Sequence, residues 1–323
     1  MIRAAVIGGG SWGTALAYAL RCGTAAPTLL VRDEATMSAL AAGRCRQLAD
    51  LPALDHPLDA TMDPAILSDS DMILVVVPVA ATPDMLRLIT ARAAPSTPVV
   101  LCAKGLMMDG ERPLLMPELA MRMMPDTPHV ILSGPTFADE VIRGLPAAIT
   151  AASKDEQAIA TVQQAFTGGH LRVYANHDPI GVAIGGAMKN VIAIAAGCAA
   201  GLGLGDNARA ALITRGLAEL ARLATAAGAR PDTIYGLSGA GDLALSCAGP
   251  HSRNMAYGMA LGRGETPPEA LAEGRHSVAA LAARGDELGV ELPITSGVDS
   301  VVNHGADLGA VVASLLARRA GVE

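Results

Sequence analysis

Aromatic and basic side chains are scarce in this chain of 323 residues. Phenylalanine, tyrosine and tryptophan make up 2% of it, too few for the stacking surfaces of a single-strand nucleic-acid binder. Lysine and arginine number 24 against 31 acidic residues, and they form no cluster. The net charge of −7 therefore argues against nucleic-acid partners and against binding to an anionic membrane surface. An anionic substrate must be held by a few placed cations.

The sequence also lacks the patterns of disulfide, metal and nucleotide-hydrolysis sites. Its five cysteines are dispersed without a CxxC pair, which predicts reduced thiols and a cytoplasmic location. Histidine and cysteine show no ligand spacing, so no metal is predicted. Neither the GxxxxGKS/T loop of nucleoside triphosphatases nor the GxSxG motif of serine hydrolases occurs.

No uninterrupted uncharged apolar run reaches the length of a membrane span. The longest uncharged apolar stretch, residues 191–205, contains four glycines and falls short of the roughly 20 residues that a span needs. The apolar run after Arg3 is broken by glycines, unlike a signal peptide. With 51% hydrophobic and 17% charged residues, the chain is expected to fold around a large core without membrane insertion.

The first half of the chain alternates short apolar runs with helical patterns. The runs predicted as strands are residues 4–7, 28–31, 72–77, 99–102, 130–133, 147–151 and 171–175. This alternation favours a mostly parallel sheet covered by helices. Beyond residue 180 the pattern changes to long helices rich in alanine, leucine and glycine. We therefore predict an α/β domain over residues 1–179 and an all-α domain over residues 180–323.

A glycine-rich motif follows the first predicted strand. Residues 8–13 read GGGSWG, which fits GxGxxG at the junction of a strand and a helix. In this motif Gly8 permits a tight turn, Gly10 lets the backbone approach a pyrophosphate, and Gly13 allows close packing of helix and strand. The helix N-terminus then offers amide donors to the pyrophosphate. The motif predicts a Rossmann-like dinucleotide-binding domain.

The end of the second predicted strand leaves the choice of dinucleotide open. Arg32 and Asp33 stand about 20 residues after the glycines. An acid at this place binds the ribose 2′-hydroxyl of NAD, whereas an arginine accommodates the 2′-phosphate of NADP. Because both occur side by side, the pattern allows NAD(H) or NADP(H).

Further segments carry residues suited to chemistry on a small anion. Lys104 follows a predicted strand, as do the glycine and threonine of the segment 132–138. Lys189 stands in a helix of small apolar residues, so it either extends to solvent or is functional. A glycine-rich turn precedes Asp242, and Arg253 lies in a cluster of hydrogen-bonding groups that suits a phosphate.

These residue types favour hydride transfer between a nicotinamide and a phosphorylated alcohol or ketone. A lysine can give a proton to the carbonyl oxygen or take it from the hydroxyl. Two alternatives stay open on the pattern alone. One is a dehydrogenase of similar build that acts on a hydroxy acid or keto acid such as ketopantoate. The other is a dinucleotide-sensing regulator without catalysis, which would need only the first domain.

Several segments together resemble bacterial-type NAD(P)-dependent glycerol-3-phosphate dehydrogenase over nearly the whole chain. They are GGGSWGTA at 8–15, KG at 104–105, SGPTFA at 133–138, GGAMKNVIAI at 185–194, GLGLGDN at 201–207, LITRGLAE at 212–219, GDL at 241–243, SRN at 252–254 and EG at 273–274. The resemblance implies reversible reduction of dihydroxyacetone phosphate to sn-glycerol 3-phosphate for phospholipid synthesis. It also implies a homodimer built from a Rossmann-like domain and a helical domain.

The resemblance implies roles at matched positions. Lys189 corresponds to the proton donor and acceptor. The substrate contacts implied are Lys104, Gly134, Thr136, Lys189, Asp242, Ser252, Arg253 and Asn254. Besides Gly8, Gly10 and Gly13, the dinucleotide contacts implied are Ser11, Trp12, Arg32, Lys104, Ala138, Arg253 and Glu273. Residues 44–52 depart from the family pattern, because the expected asparagine and tyrosine before Leu-Pro are absent.

Overall fold

The contacts within the chain form two compact units. A computed structural model describes residues 1–267 and 272–317. The first unit comprises Met1–Lys104 and Met116–Ala183, and the second comprises Gly105–Leu115 and the chain from Ile184 onward. The boundary at 183/184 lies inside a helix, four residues beyond the boundary predicted from the sequence.

The first unit contains an eight-stranded sheet. Its strands are β1 (Ile2–Ile7), β2 (Ala25–Leu30), β3 (Asp59–Thr61), β4 (Met72–Val75), β5 (Val99–Leu101), β8 (His129–Ser133), β9 (Ala147–Ala152) and β10 (Leu171–Asn176). The order across the sheet is β10-β9-β8-β5-β4-β1-β2-β3. Only β8 and β9 pair antiparallel, so the predicted mostly parallel sheet is confirmed. The seven predicted strands are all present, and β3 is the one missing from the prediction.

The connections of this sheet place a ligand crevice at β1. From β1 the chain proceeds to β2 and β3 on one side, then crosses to β4 and β5 on the other. Such a reversal of strand order opens a crevice at the carboxyl ends of the two central strands. The turn after β1, which carries Gly8 and Gly10, lies at this edge.

Helices pack against the sheet because its central strands are apolar. All four residues of β4 and all three of β5 are buried, as expected for strands covered on both faces. The helices of this unit are α1 (Ser11–Cys22), α2 (Glu34–Ala41), α3 (Thr82–Thr90), α4 (Met116–Met123), α5 (Ala138–Ile142) and α6 (Glu156–Phe166). The apolar residues of α1, α2, α5 and α6 form a continuous core with one face of the sheet.

The second unit is helical apart from one hairpin. Its helices are α7 (Pro179–Gly201), which begins in the first unit, α8 (Gly205–Ala226), α9 (Pro231–Ile234), α10 (Asp242–Ser246), α11 (Arg253–Gly262), α12 (Glu273–Glu287), α13 (Pro293–His304) and α14 (Leu308–Ala317). The described residues from 184 onward contain no strand, which confirms the all-α C-terminal part. A short π-helical turn, Leu237–Gly241, precedes α10.

The hairpin consists of β6 (Leu106–Asp109) and β7 (Arg112–Leu115), which pack against α12. This hairpin is not among the strands predicted from the sequence. Its signal is the Asp109-Gly110 step between two apolar runs, with Gly110 at φ +65°. This dipeptide favours a tight turn between antiparallel strands.

Helix α7, with 23 residues, is the longest of the described helices. It is the one described helix long and apolar enough to cross a membrane, and 94% of its most apolar window is buried inside the protein. Its first turn is capped by Asp178, whose Oδ1 accepts a hydrogen bond from the amide of Gly181 at 2.9 Å. Burial of this kind is typical of a core helix.

One buried carboxylate holds two helices of the second unit together. Glu219 of α8 is 1% exposed, and its side chain accepts hydrogen bonds from the amides of Ile294 and Thr295 in the first turn of α13. The hydroxyl of Thr295 donates a third bond at 3.1 Å. Burial raises the pKa of Glu219 above its ordinary value of 4.5, although these hydrogen bonds act in the opposite direction.

We expect Glu219 to make stability depend on pH with a defined sign. A raised pKa means that the folded state holds the proton more tightly than the unfolded chain does. The stabilisation is therefore complete below pH 4.5 and is lost as the pH rises through the folded-state pKa. The free energy of unfolding of the wild type minus that of Glu219→Gln should fall as the pH rises above about 4.5, measured by urea unfolding.

The exposed Glu111 in the hairpin turn provides a matched control. Glu111→Gln should give a difference in unfolding free energy that stays nearly constant over the same range. A difference in unfolding free energy between the wild type and Glu219→Gln that stays constant or rises with pH would contradict a raised pKa for Glu219.

Candidate functional site

The turn after β1 requires glycine at two positions. Gly8 adopts φ +117°, and a Cβ atom there would lie 2.3 Å from the carbonyl oxygen of Val76. A Cβ atom on Gly13 would lie 1.9 Å from the carbonyl oxygen of Gly8. These contacts keep β1, the turn and α1 close together, as the dinucleotide motif requires.

The N-terminus of α1 suits an anionic ligand. Gly10 is the N-cap and supplies no side-chain acceptor to the first turn, which contains Ser11 and Trp12. By contrast, α2 and α6 are capped by aspartates. A Cβ atom on Gly10 would meet nothing within 4 Å, so the backbone is open to a ligand. These features fit the pyrophosphate of a dinucleotide.

A further polar group at this turn has no partner. The indole Nε1 of Trp12 is buried and makes no hydrogen bond. A buried donor without an acceptor is costly, so a partner is expected from outside the chain. Together with the open backbone at Gly10, this donor supports the fit of a dinucleotide at the turn.

Asp33, at the end of β2, is already engaged by protein groups. Its Oδ1 accepts hydrogen bonds from the amide of Thr36, at 2.8 Å, and from Arg46 Nη1, at 3.1 Å. The pKa of Asp33 is lowered mainly by its hydrogen bonds with Thr36. The charges of Arg46 and Arg32 lower it further. Arg32 is exposed. Asp33 thus serves as the N-cap of α2.

Lys104, Gly134 and Thr136 meet at the carboxyl ends of β5 and β8. Lys104 Nζ donates to the carbonyl oxygen of Gly134 at 3.1 Å, and the Thr136 hydroxyl donates to the same oxygen at 3.2 Å. Ala138 begins α5, which packs against α1. The parallel strands β4, β5 and β8 bring these predicted site residues to the same edge as the glycine turn.

In the second unit Lys189 belongs to a buried ion pair. Its Nζ donates to Asp242 Oδ1 at 3.0 Å and to the Ser246 hydroxyl at 2.9 Å. The side chains of Lys189 and Asp242 are 12% and 2% exposed. Lys189 therefore does not extend freely to solvent, which was one of the two interpretations that the sequence allowed. Its ammonium lies in a buried polar environment formed by Asp242 and Ser246. Asp242 and Ser246 occupy one face of α10 at a spacing of four residues.

A second polar cluster joins α7, α11 and α12. Asn254 Nδ2 donates to Asn190 Oδ1 at 2.9 Å, and Asn254 Oδ1 accepts from the amide of Gly274 at 2.9 Å. Asn190 follows Lys189 in α7, and Glu273 begins α12. The network fixes the start of α11 relative to the helix that carries Lys189.

Arg253 has a different environment. It is the first residue of α11, where Ser252 is the N-cap and accepts from the amide of Met255 at 3.4 Å. Arg253 is exposed, and among the described residues no hydrogen bond joins it to Lys189 or Asn254. A cation in the first turn of a helix opposes the helix dipole, so its position does not serve helix stability.

A buried thiol adjoins the Lys189 cluster. Burial raises the pKa of Cys247 to about 12, although the positive charges of Lys189 and Arg209 act against this increase. The thiol is therefore neutral near pH 7 and is not a nucleophile there.

Two residues that were not predicted as site residues contact predicted ones: Ser246 contacts Lys189, and Asn190 contacts Asn254. Arg46, also not predicted, contacts Asp33, one of the two adjacent residues that left the choice of dinucleotide open. The spacing between Asp242 and Ser246 was an available signal, since residues four apart share a helix face. Asn190 and Arg46 meet their partners across long sequence separations, which spacing does not reveal. Among the described residues no group of three or more histidine, cysteine or acidic side chains is placed to hold a metal ion.

Comparison with protein families gives matches over both parts of the chain. The model described as NAD-dependent glycerol-3-phosphate dehydrogenase N-terminus matches residues 3–159. The corresponding C-terminus model matches residues 178–313. Together the two models span both the sheet and the helical part.

Individual relatives match this chain over nearly their whole length. The chain is 43% identical to a glycerol-3-phosphate dehydrogenase (NAD(P)+) of Methylobacterium radiotolerans, covering 97% of this chain and 96% of the relative. It is 44% identical, with the same coverage, to one from a Bradyrhizobium strain. A crystal structure of glycerol-3-phosphate dehydrogenase from Coxiella burnetii superimposes with a TM-score of 0.89 at 35% identity, covering 98% of this chain and 99% of that one.

Proposed function

The chain belongs to the NAD-dependent glycerol-3-phosphate dehydrogenase family, and we propose that it reversibly reduces dihydroxyacetone phosphate to sn-glycerol 3-phosphate. The cofactor is NAD(H) or NADP(H), and the product supplies glycerophospholipid synthesis. The observation that carries the proposal is the buried Lys189–Asp242 pair. A protein that only senses a dinucleotide has no need of this pair.

Lys189 acts as the proton donor in reduction and the proton acceptor in oxidation. When bound, the reduced nicotinamide supplies the hydride for C2 of the ketone. The carbonyl oxygen gains negative charge as it becomes an alcohol, and it needs a proton. The ammonium of Lys189 holds a suitable proton at Nζ.

Asp242 and Ser246 position Lys189 for this transfer. The carboxylate stabilises the ammonium form and, together with the Ser246 hydroxyl, fixes the direction of Nζ. These contacts direct ammonium hydrogens to protein acceptors. Because replacing such a buried pair with apolar residues is often neutral or stabilising, we interpret it as functional rather than structural.

Arg253 binds the phosphate of the substrate. Its guanidinium is exposed at the N-terminus of α11, so its charge and the helix dipole both favour an anion. Ser252 and Asn254, which flank it, are substrate contacts that the resemblance implies. Their buried side chains also fix the start of α11 through bonds to Met255, Asn190 and Gly274. In the first unit, Lys104, Gly134 and Thr136 form the substrate contacts that the resemblance implies.

The dinucleotide contacts form a second set. The pyrophosphate would be held at the start of α1 by Gly8, Gly10, Ser11, Trp12 and Gly13. Arg32 would contact the adenosine ribose. Lys104, Ala138, Arg253 and Glu273 complete the set implied by the family.

The proposed assembly is a homodimer in the cytoplasm. Helix α14 is strongly apolar, yet none of its ten residues is buried, and Leu316 is 80% exposed. It borders an apolar cavity of about 1450 Å³ between α8 and α13. Such a surface suits a second copy of the chain. The five free thiols, four of them buried, support a reducing compartment.

Replacing Lys189 tests the proposed reaction. Lys189→Ala should lower kcat for dihydroxyacetone phosphate about a thousandfold or more, because the transition state loses its proton donor. Cofactor affinity should change little. The measurement is the loss of nicotinamide absorbance with purified protein, and unphosphorylated dihydroxyacetone should be a poor substrate for the wild type.

The matched control is Lys154→Ala, which removes an exposed lysine that donates to the carbonyl oxygen of His177. It should retain wild-type kcat. Lys189→Arg tests whether a failure reflects folding, since it keeps the charge beside Asp242. A loss below about tenfold in Lys189→Ala would remove this residue from the mechanism.

Arg253→Ala tests phosphate binding. The KM for dihydroxyacetone phosphate should rise about tenfold to a hundredfold, because a charge-assisted contact to the phosphate is lost. The residual rate with unphosphorylated dihydroxyacetone should not change. Arg263→Ala, at the other end of the same helix, is the control. An unchanged KM in Arg253→Ala would exclude the phosphate role.

Leu316→Glu tests the dimer. The wild type should sediment at about twice the mass of one chain in analytical ultracentrifugation, and the variant as a single chain, because a carboxylate cannot be buried in the apolar surface of α14. Leu145→Glu, at an exposed leucine of the first unit, should leave the mass unchanged. A monomeric wild type or a dimeric Leu316→Glu would refute this interface.

A further inference from the structure

Arg46 lies in the segment that departs from the family pattern, and the fold places it beside the end of β2. Its Nη1 donates both to Asp33 Oδ1 at 3.1 Å and to the Thr36 hydroxyl at 3.2 Å. Arg32 is the neighbour of Asp33, and its charge also acts on that carboxylate. One guanidinium group therefore contacts the carboxylate, and the charge of a second acts on it.

The location matches the adenosine end of a dinucleotide. β1 and β2 pair in parallel with Ile7 opposite Leu30, and the amide of Gly8 donates to the carbonyl oxygen of Leu30 at 3.0 Å. Arg32 and Asp33 thus follow β2 directly beside the glycine turn. In dinucleotide-binding folds, the groups at the end of this strand contact the 2′ position of the adenosine ribose.

One oxygen of Asp33 is engaged by protein groups: its Oδ1 accepts from the amide of Thr36, as the cap of α2, and from Arg46. The charge of the acid that would normally select NAD is therefore balanced by an arginine. The net charge of Arg32, Asp33 and Arg46 together is positive, which favours an additional anion.

We propose that Arg32 and Arg46 bind the 2′-phosphate of NADP(H), so that the protein selects NADP(H) over NAD(H), with Arg46 as a specificity-determining residue. This inference rests on the proposed function and deepens it. A guanidinium has five donors, so Arg46 can keep its bond to Asp33 through Nη1 and offer its other donors to the phosphate oxygens. NAD(H) carries a hydroxyl at this position and gains no charge-assisted contact.

Binding can be measured without turnover. Trp12 is the only tryptophan in the chain and lies at the glycine turn, so quenching of its fluorescence reports NADPH and NADH binding. The wild type should bind NADPH at least about tenfold more tightly than NADH. Arg46→Gln should weaken NADPH about tenfold to a hundredfold and change NADH less than about threefold, because a charged contact to the phosphate is lost.

The matched control is Arg44→Gln, which removes an exposed arginine from the same segment and should change neither affinity. Asp33→Asn keeps an acceptor for the cap of α2 and should not weaken NADH. Equal or tighter binding of NADH by the wild type would overturn the proposal. It would also be overturned if Arg46→Gln weakened both cofactors equally, or if Asp33→Asn selectively weakened NADH.

The test separates this proposal from the proposed function. Selective NADPH binding without reduction of dihydroxyacetone phosphate would support the specificity site and overturn the proposed reaction. Reduction with NADH preferred would support the reaction and overturn the role of Arg46. Failure to bind either cofactor would overturn both.

Discussion

The ion pair between Lys189 and Asp242 is the interaction on which the rest of the helical unit depends. An ammonium in a helix of small apolar residues is costly to bury unless a carboxylate and further acceptors meet it. Helix α10 supplies both Asp242 and Ser246, because its two ends are one helical turn apart. The contacts with Asp242 and Ser246 that offset the cost of burying the ammonium also fix the direction of Lys189 Nζ. The same hydrogen bonds therefore serve both the stability of the fold and the proposed proton transfer.

In the sheet-containing unit the corresponding constraint is the close approach of backbone atoms around the first turn. Gly13 faces the carbonyl oxygen of Gly8, and Gly8 faces that of Val76, with no room for a side chain at either place. This packing sets the start of α1 beside the strand ends. The helix has a glycine rather than an acidic cap, so its amide donors are available to an anion.

The helix caps distinguish groups that serve the fold from groups that are left for ligands. Asp33, Asp155 and Asp178 accept hydrogen bonds from the first turns of their helices. Glu219 does the same for α13 from another helix. At Arg253 and at Gly10, by contrast, the helix starts present a cation or bare backbone. We interpret as phosphate-binding places the uncapped start of α1 and the start of α11, where Ser252 is the N-cap but Arg253 adds a cation.

The sequence by itself determined the strand–turn–helix motif, the seven principal strands and the helical second half, because these depend on local periodicity and on short motifs. It also marked Lys189 as unusual. Only the tertiary structure decided that Lys189 meets Asp242 and Ser246, that Asn190 meets Asn254, and that Arg46 meets Asp33. The hairpin of residues 106–115 had a local signal, but its place against α12 did not. The reason is physical: hydrogen bonds and ion pairs between distant residues depend on how helices and strands pack, and spacing along one chain carries no record of that packing.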